Sequence, residues 1–296
     1  MYTSECRGYG NHQYPLPAYI RELEGMGELI DIAVQANEST GYDRRNRSSV
    51  QGSKKFTGTQ SLDEAIDLAR YGWPEGHQRL ANELDKLQVE ELSGESLHPE
   101  IQWGETGVFP DVGRYLEGEP ENMIDFVFPP DPPGKIIDLT ANVGYAHTVP
   151  TEDIITRGAA IVAAIQKLQL HGFSVGLTAT CASLAESKNF IVEYHVPLVR
   201  PGEYLDMDAA AFALVHPSFQ RRLIFATKEA EPAAIRKDIR AYRDGGYGHS
   251  INATHPTQTE SAHVMIAKSD ALKGGIQSAQ GILNKVAAAA IARMPD

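Results

Sequence analysis

Six residues stand out as candidate metal ligands or acid–base groups: Asp138, His147, Asp206, Asp208, His216 and His249. Several fall on segments that read as loops at one edge of a sheet. Carboxylates and imidazoles hold divalent ions and exchange protons near neutral pH, so such a set suits a metal-dependent hydrolase. The spacing does not single out that chemistry, because no pair shows the His-x-x-x-His or Cys-x-x-Cys interval that places two ligands together on one element. Asp206 and Asp208 read equally well as helix caps, and His216-Pro217 as a helix stop.

Nucleophilic chemistry has less support. Cys181 and Ser183 end a strand near possible histidines, but no Gly-x-Ser-x-Gly elbow presents either of them. A buried or loop cysteine is the ordinary reading. Gly245-Gly-Tyr-Gly248 lacks the Lys-Ser/Thr of a phosphate-binding loop and reads as a flexible turn.

Nucleic-acid binding would rest on Arg44, Arg45, Arg47, Lys54 and Lys55. These five basic residues stand against Asp43 alone in a stretch without apolar periodicity, which reads as a flexible basic loop able to neutralise phosphates. The rest of the chain opposes a general polyanion surface. The net charge is −12, and residues 83 to 121 hold eleven acidic residues against Lys86 and Arg114.

With 296 residues, 42% of them hydrophobic, the chain can bury a full core. No apolar run approaches the length of a membrane helix, and no basic-then-apolar leader opens the sequence, so a secretory signal is not expected. The two cysteines, Cys6 and Cys181, lack the spacing of a zinc knuckle or a disulfide framework. These features fit a reducing cytoplasm.

The elements that would position the candidate residues centre on residues 135 to 196. Lys135–Val143 follows the breaker Pro129-Pro-Asp-Pro-Pro-Gly134 and reads as a buried strand with a polar end at Asp138, Thr140 and Asn142. From Thr151 the positions Ile154, Gly158, Ile161, Ile165 and Leu168 predict a helix. Alternation predicts two more strands, Phe173–Thr180 and Phe190–Val196, the second antiparallel because no crossover fits between them. A strand at 222–227, another at 263–267 and a final helix along Ile276–Ala290 complete this half.

In the first half, the spacing of Tyr19, Leu23, Met26 and Ile30 predicts a short helix from Pro17. Ser61 and Glu64 form a capping box before a helix that ends at Gly72, Trp73 reads as a core anchor, and a second helix is expected from about His77 to Glu91. A Gly-, Pro- and Glu-rich connector with a strand near 124–128 then leads to a domain boundary near 130. The organisation expected is thus a helical and irregular region, 1–130, before an α/β domain, 131–296.

Two resemblances sharpen these expectations. The element order after 135 resembles the von Willebrand factor A-like fold, a doubly wound, mostly parallel α/β sheet with one antiparallel edge strand. That likeness implies a metal site of the Asp-x-Ser-x-Ser kind on Asp138, Thr140 and Asn142, taking Mg²⁺ or Mn²⁺. Asn142 departs from the pattern, and Lys228-Glu229 stand where the family has an aspartate and a glycine.

Phe56–Ala65 with Gly72-Trp-Pro-Glu-Gly76, and in the second half Asn142–Tyr145, Arg157–Ile161, Leu205–Asp208, His216-Pro217 and Arg221–Leu223, resemble an uncharacterised family of tailed bacteriophages and prophages. This implies a viral setting, in the virion or the host cytoplasm. The reading that follows is a non-catalytic protein-binding protein, a virion component or an assembly or host-takeover factor, with self-association expected. A metal-dependent hydrolase at the strand carboxyl ends and a nucleic-acid binder using the basic loop are the alternatives.

Overall fold

The computed structural model describes residues 5–7, 16–38, 47–86, 100–107, 109–127, 136–146, 149–170, 172–185, 190–203, 205–239, 241, 247–251, 262–266, 281–282 and 284–288. Strands β1 (Glu5–Arg7) and β2 (Leu16–Glu22) open the chain. A small antiparallel sheet follows, ordered β3 (Glu100–Gly104), β5 (Met123–Val127), β4 (Phe109–Pro110). The main sheet takes β6 (Ile136–Asn142), β7 (Ser174–Leu184), β8 (Ile191–Val199), β9 (His249–Ile251) and β10 (Ala262–Ile266).

Its order is β1-β2-β8-β7-β6-β10, with β9 also paired to β7. The pairs β6/β7, β6/β10 and β2/β8 are parallel; β7/β8, β7/β9 and β1/β2 are antiparallel. The molecule is therefore a mixed α/β protein. The expected β-helix-β unit is present: β6, the helix Thr151–Leu170, and β7 in parallel beside β6. Strand β8 returns antiparallel along Leu177–Leu184, as the short connection requires. Strand β2 lies before the Pro- and Gly-rich connector and yet bonds to β8 from Ala18↔Ile191 to Glu22↔His195.

Alternation along the strands separates two unlike faces. Ile137, Leu139 and Ala141 on β6, Val175, Leu177, Ala179 and Cys181 on β7, and Val192, Tyr194 and Val196 on β8 share one core with the helices 151–170 and Met207–Val215. The other face is polar where Asp138, Thr140 and Asn142 stand beside Thr178 and Thr180, and it ends in a small apolar cluster of Ala18, Ile20, Ala182, Leu184, Ile191 and Ile251.

Helix Leu62–Tyr71 begins as its sequence dictates. Ser61 Oγ accepts the Glu64 N–H at 3.0 Å, while the Glu64 carboxylate reaches back to the Gln60 N–H. The next helix, Pro74–Leu84, starts three residues earlier than expected, because Pro74 itself occupies the first turn. Trp73 is buried before it, edge-on to His216 at 4.6 Å, and Gly76 leaves the room its ring needs.

Two expected elements are replaced. The helix from Pro17 is instead strand β2 followed by a helix over Met26–Glu38, so Leu23 follows a strand and Met26 opens a helix. The strand at 222–227 is helical: a π-helix over Phe219–Ile224 runs into an α-helix over Phe225–Ala230. A short apolar run cannot tell a buried strand from a buried helix, and here Phe219, Leu223, Ile224 and Ala226 are buried as a helix on the core. The expected last strand is β10, and Ile282 and Val286 of the expected final helix are buried.

Candidate functional site

Among the described residues, those expected to carry chemistry lie on separate elements. Asp138, Thr140 and Asn142 alternate along β6 and so share a face, but the strand's rise of about 3.3 Å per residue puts Asp138 and Asn142 more than ten ångströms apart. Asp138 lies over Gly176 toward the amino end of β6. Both polar atoms of buried Asn142 are engaged: Nδ2 donates to Ile251 O at 2.9 Å and Oδ1 accepts the Gly144 N–H at 2.9 Å. Asp206 caps its helix by accepting the N–H groups of Asp208 and Ala209. His216 ends that helix, buried between Trp73 and Phe212, with Nδ1 accepting the Ser218 N–H. Among the described residues no three His, Cys, Asp or Glu side chains gather as a metal site, and no helix is long and apolar enough to cross a membrane. His147 lies outside the described residues.

Of the basic stretch, Arg44 and Arg45 also lie outside the described residues. Arg47 precedes the helix Ser48–Gln51, and Lys54 and Lys55 are exposed on the helix Lys54–Thr57. From Arg47 onward this stretch is ordered against helix 219–230 by two buried side chains, Arg222 and Glu229. Arg222 donates to the carbonyls of Ser49, Val50, Gly52 and Thr59 and to Thr59 Oγ1. Glu229 accepts from Ser49 N at 3.0 Å, from Ser49 Oγ and from the Tyr247 hydroxyl. Burial raises the Glu229 carboxyl above its ordinary range, and these hydrogen bonds oppose the rise.

A cleft of about 620 Å³ opens beside this latch, beyond the carboxyl ends of β6 and β7. Open α/β sheets bind ligands in such a position. Its wall includes Phe56, Tyr145, Gln220, Arg221, Phe225 and His249, and Ser183, Lys228 and Tyr247 line it too. Lys228 is fully buried, and its Nζ lies 2.6 Å from Ser183 Oγ and 2.9 Å from Tyr247 O. The rings of Tyr194 and Phe225 stand 5.9 Å from Nζ, but no carboxylate pairs with it among the described residues. Desolvation lowers the Lys228 pKa, favouring the neutral amine. Cys181, on the same strand face, is buried and its thiol pKa is raised by that burial.

Arg221, also without a carboxylate partner among the described residues, is held by Phe56 O at 2.7 Å and Ala146 O at 3.2 Å and lies over the Phe56 ring. Gln220 Oε1 accepts the Tyr145 N–H at 3.0 Å, which leaves its amide donors for a ligand. Of the candidates read from sequence, Ser183 and His249 reach this cleft. Lys228 and Arg221 were missed as site residues because their segment reads as a strand and a following loop.

The small sheet presents a different surface. Ile101 (52%), Trp103 (39%), Val112 (63%), Tyr115 (64%) and Leu116 (77%) are exposed within sixteen positions. Ile101 and Trp103 share a face of β3, and Val112, Tyr115 and Leu116 lie on the five-residue helix Val112–Leu116. Asp111 ties the two parts together, capping that helix and accepting the Trp103 indole N–H at 3.1 Å. Seven acidic residues against Arg114 alone surround them between 100 and 127.

The fold is that of a mixed α/β protein with a cleft at its strand carboxyl ends. The chain belongs to the family described as a domain of unknown function, DUF7192, whose model matches residues 7–285. No curated protein and no solved structure matches it.

Proposed function

We propose that this chain is a protein-binding component of a phage assembly, presenting the 100–127 sheet to a partner with an apolar contact surface and a basic rim. The observation that carries this reading is the exposure of Ile101, Trp103, Val112, Tyr115 and Leu116 inside an acidic surround. Soluble monomers rarely leave several large apolar side chains together in water without a use for them. An acidic rim steers and selects a partner of opposite charge. The viral setting rests on the resemblance carried by Phe56–Ala65 and Gly72–Gly76. A von Willebrand factor A-like reading is supported by the parallel strands β7, β6 and β10 with antiparallel β8 beside them, although β2 extends the sheet past β8.

The test is a triple substitution, Val112→Ser, Tyr115→Ser and Leu116→Ser, in a phage that carries this coding sequence. The wild-type chain should co-purify with the assembled particles or their precursors. The variant should lose that association while keeping its melting temperature. Equal association of both chains would remove the proposal, and a dimer of the purified wild type that the triple variant abolishes would replace the partner by a second copy.

A further inference from the structure

We propose that Ser183 and Lys228 form a nucleophile and base pair for acyl transfer at the floor of the cleft, acting on an ester or amide whose acyl group bears a negative charge. This activity is independent of the 100–127 surface.

The geometry has three parts. Ser183 Oγ and Lys228 Nζ are 2.6 Å apart, within the range at which a proton passes from a hydroxyl to an amine. Lys228 is fixed from its other side by Tyr247 O at 2.9 Å, so it needs no rearrangement to face the serine. Tyr247 is held in an unusual backbone conformation to supply that carbonyl: φ is 52°, the single positive value at a non-glycine position among the described residues. Such strain persists where surrounding contacts over-determine it, and it gathers at functional sites. Here Tyr247 stacks on Phe225 at 4.1 Å, accepts the Ser48 N–H and donates to Glu229.

A buried lysine without a carboxylate partner is a poor structural ion and a good base. Its lowered pKa agrees with that role. The titratable groups around it are Cys181 and Tyr194 on the sheet and Tyr247 and His249 beyond it. Arg221 and the Gln220 amide on the same wall give the site donors for an anionic acyl group and for a carbonyl oxygen.

The reaction balances with water as the second reactant. Neutral Lys228 takes the Ser183 hydroxyl proton as Oγ bonds to the acyl carbon. The tetrahedral adduct expels the alcohol or amine, which leaves with the proton from the Lys228 ammonium. Lys228 then takes a proton from water as the hydroxide oxygen bonds to the acyl carbon, and Ser183 leaves with that proton while the acid is released.

The experiment treats the full chain with a fluorophosphonate probe and with p-nitrophenyl esters of succinate and butyrate. Peptide mapping should place the probe on Ser183. Ser183→Ala and Lys228→Met should each lose at least about 100-fold in labelling or ester hydrolysis. Labelling of the unmutated chain should rise with pH through one deprotonation below the ordinary lysine range, which tests the base even if Lys228→Met fails to fold. Arg221→Gln should raise KM for the succinate ester about tenfold more than for the butyrate ester, as loss of a single charge-assisted contact requires. No labelling of the unmutated chain, a probe adduct on Cys181, or a folded Lys228→Met variant labelled at the wild-type rate would overturn the proposal.

Discussion

Arg222 grips Thr59 twice, its Nε donating to Thr59 Oγ1 at 3.2 Å and its Nη2 to Thr59 O at 3.0 Å. The same guanidinium closes the carbonyls of Ser49, Val50 and Gly52, so all five of its N–H bonds go to one segment. Replacing Arg222 by Met should strand those carbonyls in the core and cost roughly 3 kcal/mol or more, since each buried group left unpaired costs its desolvation. A fall in the denaturant midpoint would report it, with loss of amide protection across residues 48–59.

His216 gives the fold a pH dependence with a definite sign. Burial lowers its pKa to about 4, outweighing the opposing field of Glu64. A base depressed on folding binds fewer protons in the native state, so stability is full above the unfolded value near 6.5 and falls as pH drops toward 4. The contribution at stake is roughly 3 kcal/mol. His216→Asn, which keeps an acceptor for the Ser218 N–H, should flatten the stability profile between those limits, measured by urea unfolding at a series of pH values.

Glu229 works in the opposite direction. Its carboxyl is raised by burial, so the native state holds a proton that the unfolded chain releases, and stability declines as pH rises from the ordinary carboxyl range through the native value. In Glu229→Gln that decline should disappear, and the neutral amide should still accept from Tyr247 or Ser49. Hydrogen exchange at Ser49 is the local readout.

At Gly76 two effects compete. Alanine is favoured over glycine inside a helix by about 1 kcal/mol. A Cβ there would lie 1.9 Å from the Trp73 ring, which must shift against His216. Overpacking of this kind typically costs about 1 to 3 kcal/mol. Gly76→Ala should therefore destabilise the protein, with a changed tryptophan fluorescence spectrum in the native state.

Asn142→Ala should loosen one joint in the sheet. The side chain bridges β6 to β9 through Ile251 O and holds the chain after β6 through the Gly144 N–H, both in the interior. Loss of the pair should cost about 2 kcal/mol. Faster amide exchange at residues 249–251, without a change at β8, would locate the effect.

How far the sequence discloses this molecule depends on the range of the interaction that decides each element. Strands β6, β7 and β8 and the helix between the first two were legible because their apolar period is local and strong. The Ser61–Glu64 cap was legible for the same reason. Strand β2 was not, because its pairing with β8 joins residues far apart in sequence and leaves no local period. The segment 219–230 failed for a related reason: its apolar residues fit either period, and the choice is made by Arg222 reaching backbone carbonyls that any sequence would supply. Ser183 and His249 were visible as candidate residues. Their neighbour Lys228 was hidden by the wrong element, and the cleft they share is assembled from five separate stretches of chain.

The π-helical turn over Phe219–Ile224 sets the rotational phase of everything after it. It lets Gln220 and Arg221 line the cleft while Arg222 points into the amino-terminal segment, and it delivers Lys228 to Ser183 from the same helix. Winding the same residues as an ordinary α-helix, with none removed, would rotate the downstream side chains by up to about 100° relative to those before the turn. The latch on residues 49–59 and the Lys228–Ser183 contact could not then both survive. This turn thus acts as a gear between two halves of the protein, holding the packing of one and the chemistry of the other in register.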